Sequence, residues 1–85
     1  MIEGNKQQEL LTITMEECAE VIVECSKIKR FGPMPDNIKN LEKEIGDLMC
    51  MVMLMEDAKL INRQNIEKAV YNKREKLKKW SNLDV

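Results

Sequence analysis

Apolar residues recur at Leu11, Met15, Cys18, Ile22 and Cys25, a 4,3,4,3 spacing that marks one stripe of an α-helix. Neither Gly nor Pro interrupts the chain from Lys6 to Arg30, so a first helix is predicted over that stretch. It ends at Phe31-Gly32-Pro33-Met34-Pro35, where Gly supplies a stop and two prolines forbid continuation. Asp36 or Asn37 is placed to cap a second helix that runs to about Leu60. Asn62 occupies the next N-cap position, and Arg63 to Trp80 reads as a third, strongly basic helix. Strand alternation, internal repeats and low-complexity tracts are absent. The expected fold class is all-α: three principal helices forming an antiparallel bundle, within one domain covering residues 1–85.

The second helix carries a run, Leu48-Met49-Cys50-Met51-Val52-Met53-Leu54-Met55, that is apolar all the way round. A helix buried on every side needs neighbours on every side, and two partner helices cannot supply them. The pattern therefore predicts a homo-oligomer whose bundle is completed between chains. A membrane span needs about 20 apolar residues, so this run crosses no bilayer.

Composition sharpens the picture. A chain of 85 residues buries only ~60% of the surface its unfolded form exposes. Aromatics are 4% and Met counts seven, so the core is aliphatic and thioether-rich, with no base-stacking platform for nucleic acid. Histidine is absent. That excludes His-based acid–base and nucleophile systems and most zinc sites. Residues 1–60 hold seven Lys/Arg and twelve Asp/Glu, while residues 61–85 hold seven and three, an acidic body with a basic tail. Three cysteines, Cys18, Cys25 and Cys50, lack CxxC spacing; with no signal peptide evident, the expectation is a reducing cytoplasm and inert core thiols. Phe31 is expected to anchor the turn into the core, and Trp80 to dock on its own or a partner subunit.

The acids carry the candidate chemistry. Glu16, Glu17, Glu20 and Glu24 share about a quarter of the first helix's circumference at ~100° per residue, with Lys27 on the same arc. Taken alone, such a run is the ordinary signature of a solvated face. Glu44 and Asp47, spaced i,i+3 on the second helix, differ because they fall where the pattern predicts core. Ionised carboxylates beside a core stripe are costly unless something cationic meets them. Gly46 between them trims side-chain bulk. Two i,i+3 pairs on antiparallel helices, Glu17/Glu20 and Glu44/Asp47, can converge on one oxygen-lined site suited to Mg²⁺ or Mn²⁺. The di-iron bundle alternative needs Glu-x-x-His pairs and falls for want of histidine.

Glu16-Glu17-Cys18-Ala19-Glu20 reads as EExxE and Glu44-Ile45-Gly46-Asp47 as ExxD, with 23 residues between. With the strings MEECAEVIVECSKIKRFG and LEKEIGDLMCMV, they resemble the MazG-like all-α nucleoside triphosphate pyrophosphohydrolases, in particular the short single-domain, phage-type members, over roughly residues 10–80. The resemblance implies a homodimer or homotetramer. It also implies Mg²⁺-dependent cleavage of a (deoxy)nucleoside triphosphate to the monophosphate and pyrophosphate. Glu17, Glu20, Glu44 and Asp47 then correspond to the metal-binding carboxylates, with Glu16 in the outer shell or positioning water. Asn72-Lys73 matches an Asn/Lys pair near the triphosphate, and Lys76 is a looser match. A C-terminal family element that closes over the base has no counterpart after the third helix.

Charge bookkeeping supports the same chemistry. Divalent cations would bring a triphosphate to the acids and orient water for in-line attack at the α-phosphorus. Glu17 or Glu20 would take the water proton, with Glu16 behind. Lys73, Lys76 and Arg74, or Lys27 and Arg30 from the first helix, would meet the departing pyrophosphate. The main rival is a non-catalytic homo-oligomeric helical protein-interaction module, which explains the apolar run but gives no reason for acids at 44 and 47. A basic-tail nucleic-acid binder is disfavoured because the acidic body repels phosphates. The expected partners are thus a nucleotide and copies of the chain itself, with no nucleic acid and no membrane.

Overall fold

The computed structural model describes residues 4–85 and contains, in order, α1 (Gly4–Phe31), α2 (Pro35–Asp57) and α3 (Arg63–Trp80). Among the described residues there is no strand. The single-domain expectation reaches residues 1–3, which lie outside the described residues.

The turns are chemically specified. Gly32 takes φ +86°, a left-handed conformation that L side chains rarely adopt, and its N–H donates to the Ile28 carbonyl at 2.8 Å. Met34 then takes the extended backbone required before Pro35, which opens α2 where no N–H is needed. Met34 is the N-cap and no side chain caps α2, so neither Asp36 nor Asn37 has that role. The α2–α3 turn passes through Lys59 at φ 60°. Asn62 does cap α3: its Oδ1 accepts from the N–H groups of Gln64 at 2.8 Å and Asn65 at 3.2 Å. Beside it the Arg63 guanidinium grips Glu56 through two bonds of 2.8 and 2.9 Å.

The short link at Gly32–Met34 sets α1 and α2 antiparallel, and these two helices pack along their length. The α1 face turned to α2 is Leu10, Thr14, Glu17, Val21, Glu24 and Ile28. It meets Leu41, Glu44, Leu48, Met51 and Met55. Thr14 Oγ1 lies 2.7 Å from the Leu10 carbonyl and 3.7 Å from Met55 Sδ. Among the described residues, Met51 and Met55, each 7% exposed, are the buried apolar core.

The expected core stripe is therefore displaced by one residue. Leu11, Met15, Cys18, Ile22 and Cys25 are all exposed, Met15 by 71% and Ile22 by 68%. Both stripes have helical spacing, and α2 contacts the one that also holds Glu17 and Glu24. Cys18 and Cys25 are not core thiols. Phe31 does not anchor the turn: it is exposed and lies beneath the Arg30 guanidinium, 5.2 Å from its ring centroid. Trp80 is exposed, so it docks on no part of its own chain. The apolar girdle of α2 is likewise half covered, with Met49, Cys50, Met53 and Leu54 exposed, and Ile45 just before it is exposed too.

These exposed residues share a face. At ~100° per residue, the Leu11–Met15–Ile22 stripe points roughly 100° from the direction in which α1 meets α2. Ile45 and Met49 point about as far from the direction in which α2 meets α1. Because the helices run antiparallel, both stripes emerge on one broad side of the hairpin.

Helix α3 stands apart, making almost no contact with α1 or α2. The molecule spans 42 × 31 × 15 Å with a radius of gyration of 15.5 Å, whereas a compact chain of this length has about 12 Å. Its accessible surface is 7079 Å², against ~5,200 Å² for a compact monomer of this mass. Antiparallel packing thus holds for α1 and α2 within the chain, while α3 finds no bundle position there.

Because α3 has little tertiary support, its stability rests on local chemistry. Asn62→Ala should remove about 1 kcal/mol, the ordinary worth of such a cap. Amide exchange in the first turn of α3 should accelerate about fivefold as a result, with exchange in α1 unchanged; hydrogen-exchange measurements residue by residue check this.

Candidate metal centre

Each arm of the hairpin presents its acids on the side opposite the apolar stripes. Glu17 is at the α1–α2 contact, and Glu20 lies one turn on, rotated outward by about 60°. From α2, Glu44 points into the contact and Asp47 sits beside it, in the same antiparallel register. Ligand oxygens of Glu17, Glu44 and Asp47 lie within 4.8 Å of one another. Glu20 lies beside them, near enough for the Glu44 carboxyl to act on that of Glu20. Three of the four carboxylates expected from the sequence, Glu17, Glu44 and Asp47, thus share one cluster, with Glu20 as their neighbour.

Their charges conflict. Desolvation pushes the Glu17 carboxyl above the usual range, and the neighbouring Asp47 and Glu44 charges push it further. Glu20 is also raised, first by its hydrogen bond to Glu44 and then by the Glu44 and Glu17 charges. Glu44 is lowered, because Glu20 donates to it and Lys43 lies alongside.

Lys43 is the local counter-charge. Its ammonium is 2.9 Å from Asp47 Oδ2 and 3.3 Å from Glu44 Oε1, and these contacts raise its pKa. Sequence reasoning missed it, although its i,i+4 spacing to Asp47 was readable. The lysine is 66% exposed and approaches from the rim, so it leaves inner oxygens unmet. Oε2 of Glu17 and Oε2 of Glu44 are buried without any hydrogen-bond partner. Unpartnered buried carboxylate oxygens converging from two helices are the donor set of a hard divalent cation, and the residues fit one.

Glu24 is a further buried acid, 9% exposed, whose Oε1 also lacks a partner while Oε2 meets the Lys27 ammonium at 3.3 Å. Its burial follows from the α2-facing spacing Leu10–Thr14–Glu17–Val21–Glu24. Glu16 is exposed behind Glu17, whose pKa it raises slightly. Gly46 faces open space, where an added Cβ meets nothing within 4 Å, so it relieves no crowding. Of the expected phosphate-binding residues, Lys27 lies on the acid side of α1 and Arg30 is at the helix end over Phe31. Asn72, Lys73 and Lys76 are exposed on α3, away from the packed hairpin.

A family model described as the MazG nucleotide pyrophosphohydrolase domain matches residues 5–82. The chain belongs to the MazG nucleotide pyrophosphohydrolase family. The match covers all three helices and both acid motifs, and the all-α architecture agrees with it. No curated protein and no solved structure matches the chain. Membership in the MazG family supports nucleotide pyrophosphohydrolase activity at the family level, and the acid cluster is a group that could hold a metal ion. No helix among the described residues is long and apolar enough to cross a membrane.

The raised Glu17 carboxyl has a signed consequence. An acid held above its unfolded value disfavours the fold once pH exceeds that unfolded value, and the loss is complete above the folded value. Glu17→Gln should therefore raise the melting temperature at neutral pH in EDTA. That advantage should vanish at about pH 3, where the wild-type carboxyl is protonated in both states; thermal melts at the two pH values check it.

Proposed function

We propose that the protein is a Mg²⁺-dependent nucleoside triphosphate pyrophosphohydrolase, with Mn²⁺ as an alternative cation. It converts a (deoxy)nucleoside triphosphate to the monophosphate and pyrophosphate. The observation that carries this reading is the convergence of Glu17, Glu44 and Asp47, with two orphaned buried oxygens and Glu20 alongside, in a chain of this family. Glu17, Glu44 and Asp47 would hold the cation, with Glu20 completing the set. A bound divalent cation supplies charge neutralisation of the phosphates and acidification of water.

The chain's own residues then have defined tasks. Water attacks the α-phosphorus in line, the bond to the bridging oxygen breaks, and pyrophosphate departs with that oxygen. Glu20 or Glu17, each more basic than an ordinary glutamate, accepts the water proton. Glu16, exposed behind them, orients water. Lys43, already seated against Asp47 and Glu44, swings outward as positive charge enters the cluster, its exposed stem leaving room to do so. Lys27 and Arg30 offer donors to the phosphate tail.

The working form is an oligomer built on the apolar side of the hairpin. Two flat protomers stacked on that side bury Leu11, Met15, Ile22, Ile45 and Met49 in a two-fold, self-complementary interface. A dimer satisfies the stripes, and pairing of dimers would occupy the remaining exposed surface. Asn72, Lys73 and Lys76 join the phosphate site as assembly repositions α3. The cytoplasm, where nucleotides and Mg²⁺ are abundant and thiols stay reduced, suits this activity.

Pyrophosphate release from the ribo- and deoxynucleoside triphosphates should require Mg²⁺ and fall by ~100-fold or more in Asp47→Ala, the scale of several kcal/mol of lost charge stabilisation. Release of inorganic phosphate in its place, or activity indifferent to EDTA, contradicts the reading. The double variant Ile22→Glu/Met49→Glu should sediment as a 9.9 kDa monomer that keeps its helicity; an unchanged sedimentation coefficient contradicts the interface.

A further inference from the structure

The acid side of the hairpin is not uniform. On one side of the carboxylate cluster lies an open groove of about 780 Å³, its floor made by Leu10, Ile13, Met51, Leu54 and Ala58. Ile13 precedes Glu17 by four residues and Met51 follows Asp47 by four, so the groove begins one helical turn from the cluster. Helical rotation puts Ile13, Leu54 and Ala58 on the same side as Glu20 and Asp47, opposite the apolar stripes. The volume lies within the usual range for small-molecule sites, and an apolar floor is what such sites present.

On the other side of the cluster the surface changes character. Between residues 24 and 43 the chain carries five cations against three acids, whereas residues 4–15 and 48–59, which flank the groove, carry two against three. Lys27 is on the acid side and 40% exposed, while its partner Glu24 is buried, so the ammonium is the part of the pair that meets solvent. Side chains on a helix lean toward its N-terminus, which directs Lys27 back toward Glu20. The cluster thus separates an apolar groove from a cationic end.

We propose that a nucleoside triphosphate lies along this side with its base in the Ile13–Leu54 groove, its α-phosphate at the carboxylates and its β- and γ-phosphates toward Lys27. The inference rests on the pyrophosphohydrolase reading and adds to it a direction of binding and the residues that hold the base. Glu24 is a positioning residue in this arrangement, because its buried carboxylate fixes the Lys27 ammonium at 3.3 Å. The groove has no aromatic ring; its apolar floor holds a base by shape, and Lys6, Glu9, Asp57 and Lys59, which complete its lining, are the side chains that can offer the base a donor or an acceptor. Discrimination by shape alone is modest, about 10–200-fold between near neighbours.

Methyl NMR on the intact protein with Mg²⁺ tests the direction. The four deoxynucleoside monophosphates should shift the methyl signals of Ile13 and Leu54 and leave Ile28 and Ile38, at the far end, unmoved; the opposite pattern overturns the inference. Leu54→Glu, at a position 43% exposed, should weaken monophosphate binding at least tenfold and leave inorganic pyrophosphate binding unchanged. Lys27→Ala should do the reverse. Equal losses for both ligands in either variant overturn the inference, as does dissociation of the oligomer by Leu54→Glu, which would mean that a second copy fills the groove. Failure of the wild type to bind or cleave any nucleotide overturns instead the hydrolase reading on which the proposal rests.

Discussion

Electrostatic conflict at the α1–α2 contact is the constraint around which this molecule is organised. The one extended helix pairing among the described residues carries Glu17, Glu24 and Glu44 in the register where a stability-driven helix pair would place leucines. Each has a buried oxygen without a hydrogen bond. Desolvation and the Asp47 and Glu44 charges raise the Glu17 carboxyl, and this conflict subtracts from a core whose buried apolar residues, among the described residues, are Met51 and Met55. On the proposed reading, a cation at the cluster would remove the repulsion and satisfy the orphaned oxygens together. Folding strain and the proposed chemistry would then fall on the same side chains.

The weakness of this contact explains the rest of the architecture. A slab 15 Å thick is close to one helix diameter, so every helix is open to solvent on two sides. The two broad sides divide the labour: one carries the carboxylates and the groove, and the other carries Leu11, Met15, Ile22, Ile45 and Met49. In the proposed oligomer, stacking copies on the second side would add apolar burial that the single chain lacks, without covering the first. Helix α3 is capped by Asn62 and tied to α2 at its start by Arg63 and Glu56, and the proposed assembly would give it its packing.

Much of this was legible in the residues. Helix number, the stop at Gly32, the start of α3 at Asn62 and the meeting of Glu17 with Glu44 and Asp47 all follow from spacing and local chemistry. The misread parts share one physical cause. The stripe Leu11–Cys25 has perfect helical spacing, but a neighbouring stripe one residue earlier has the same period and includes Glu17 and Glu24. Periodicity says that a face is buried and does not say by whom, since intrachain and interchain burial leave the same pattern. For the same reason Cys18 and Cys25 read as core thiols while lying exposed in the chain. The α2 cap failed differently: Pro35 supplied the first turn and left Asp36 no role. Lys43 was missed although its i,i+4 spacing to Asp47 was legible; what the spacing did not show is that it also meets Glu44.

The central claim is that the four carboxylates form a divalent-cation site, and Mn²⁺ titration followed by electron paramagnetic resonance tests it most directly. The account predicts tight Mn²⁺ binding by the wild-type protein, competed by Mg²⁺. It predicts that Glu44→Ala abolishes this binding while circular dichroism shows the helices intact. Mn²⁺ binding of equal strength in Glu44→Ala, or none in the folded wild-type oligomer, would contradict it.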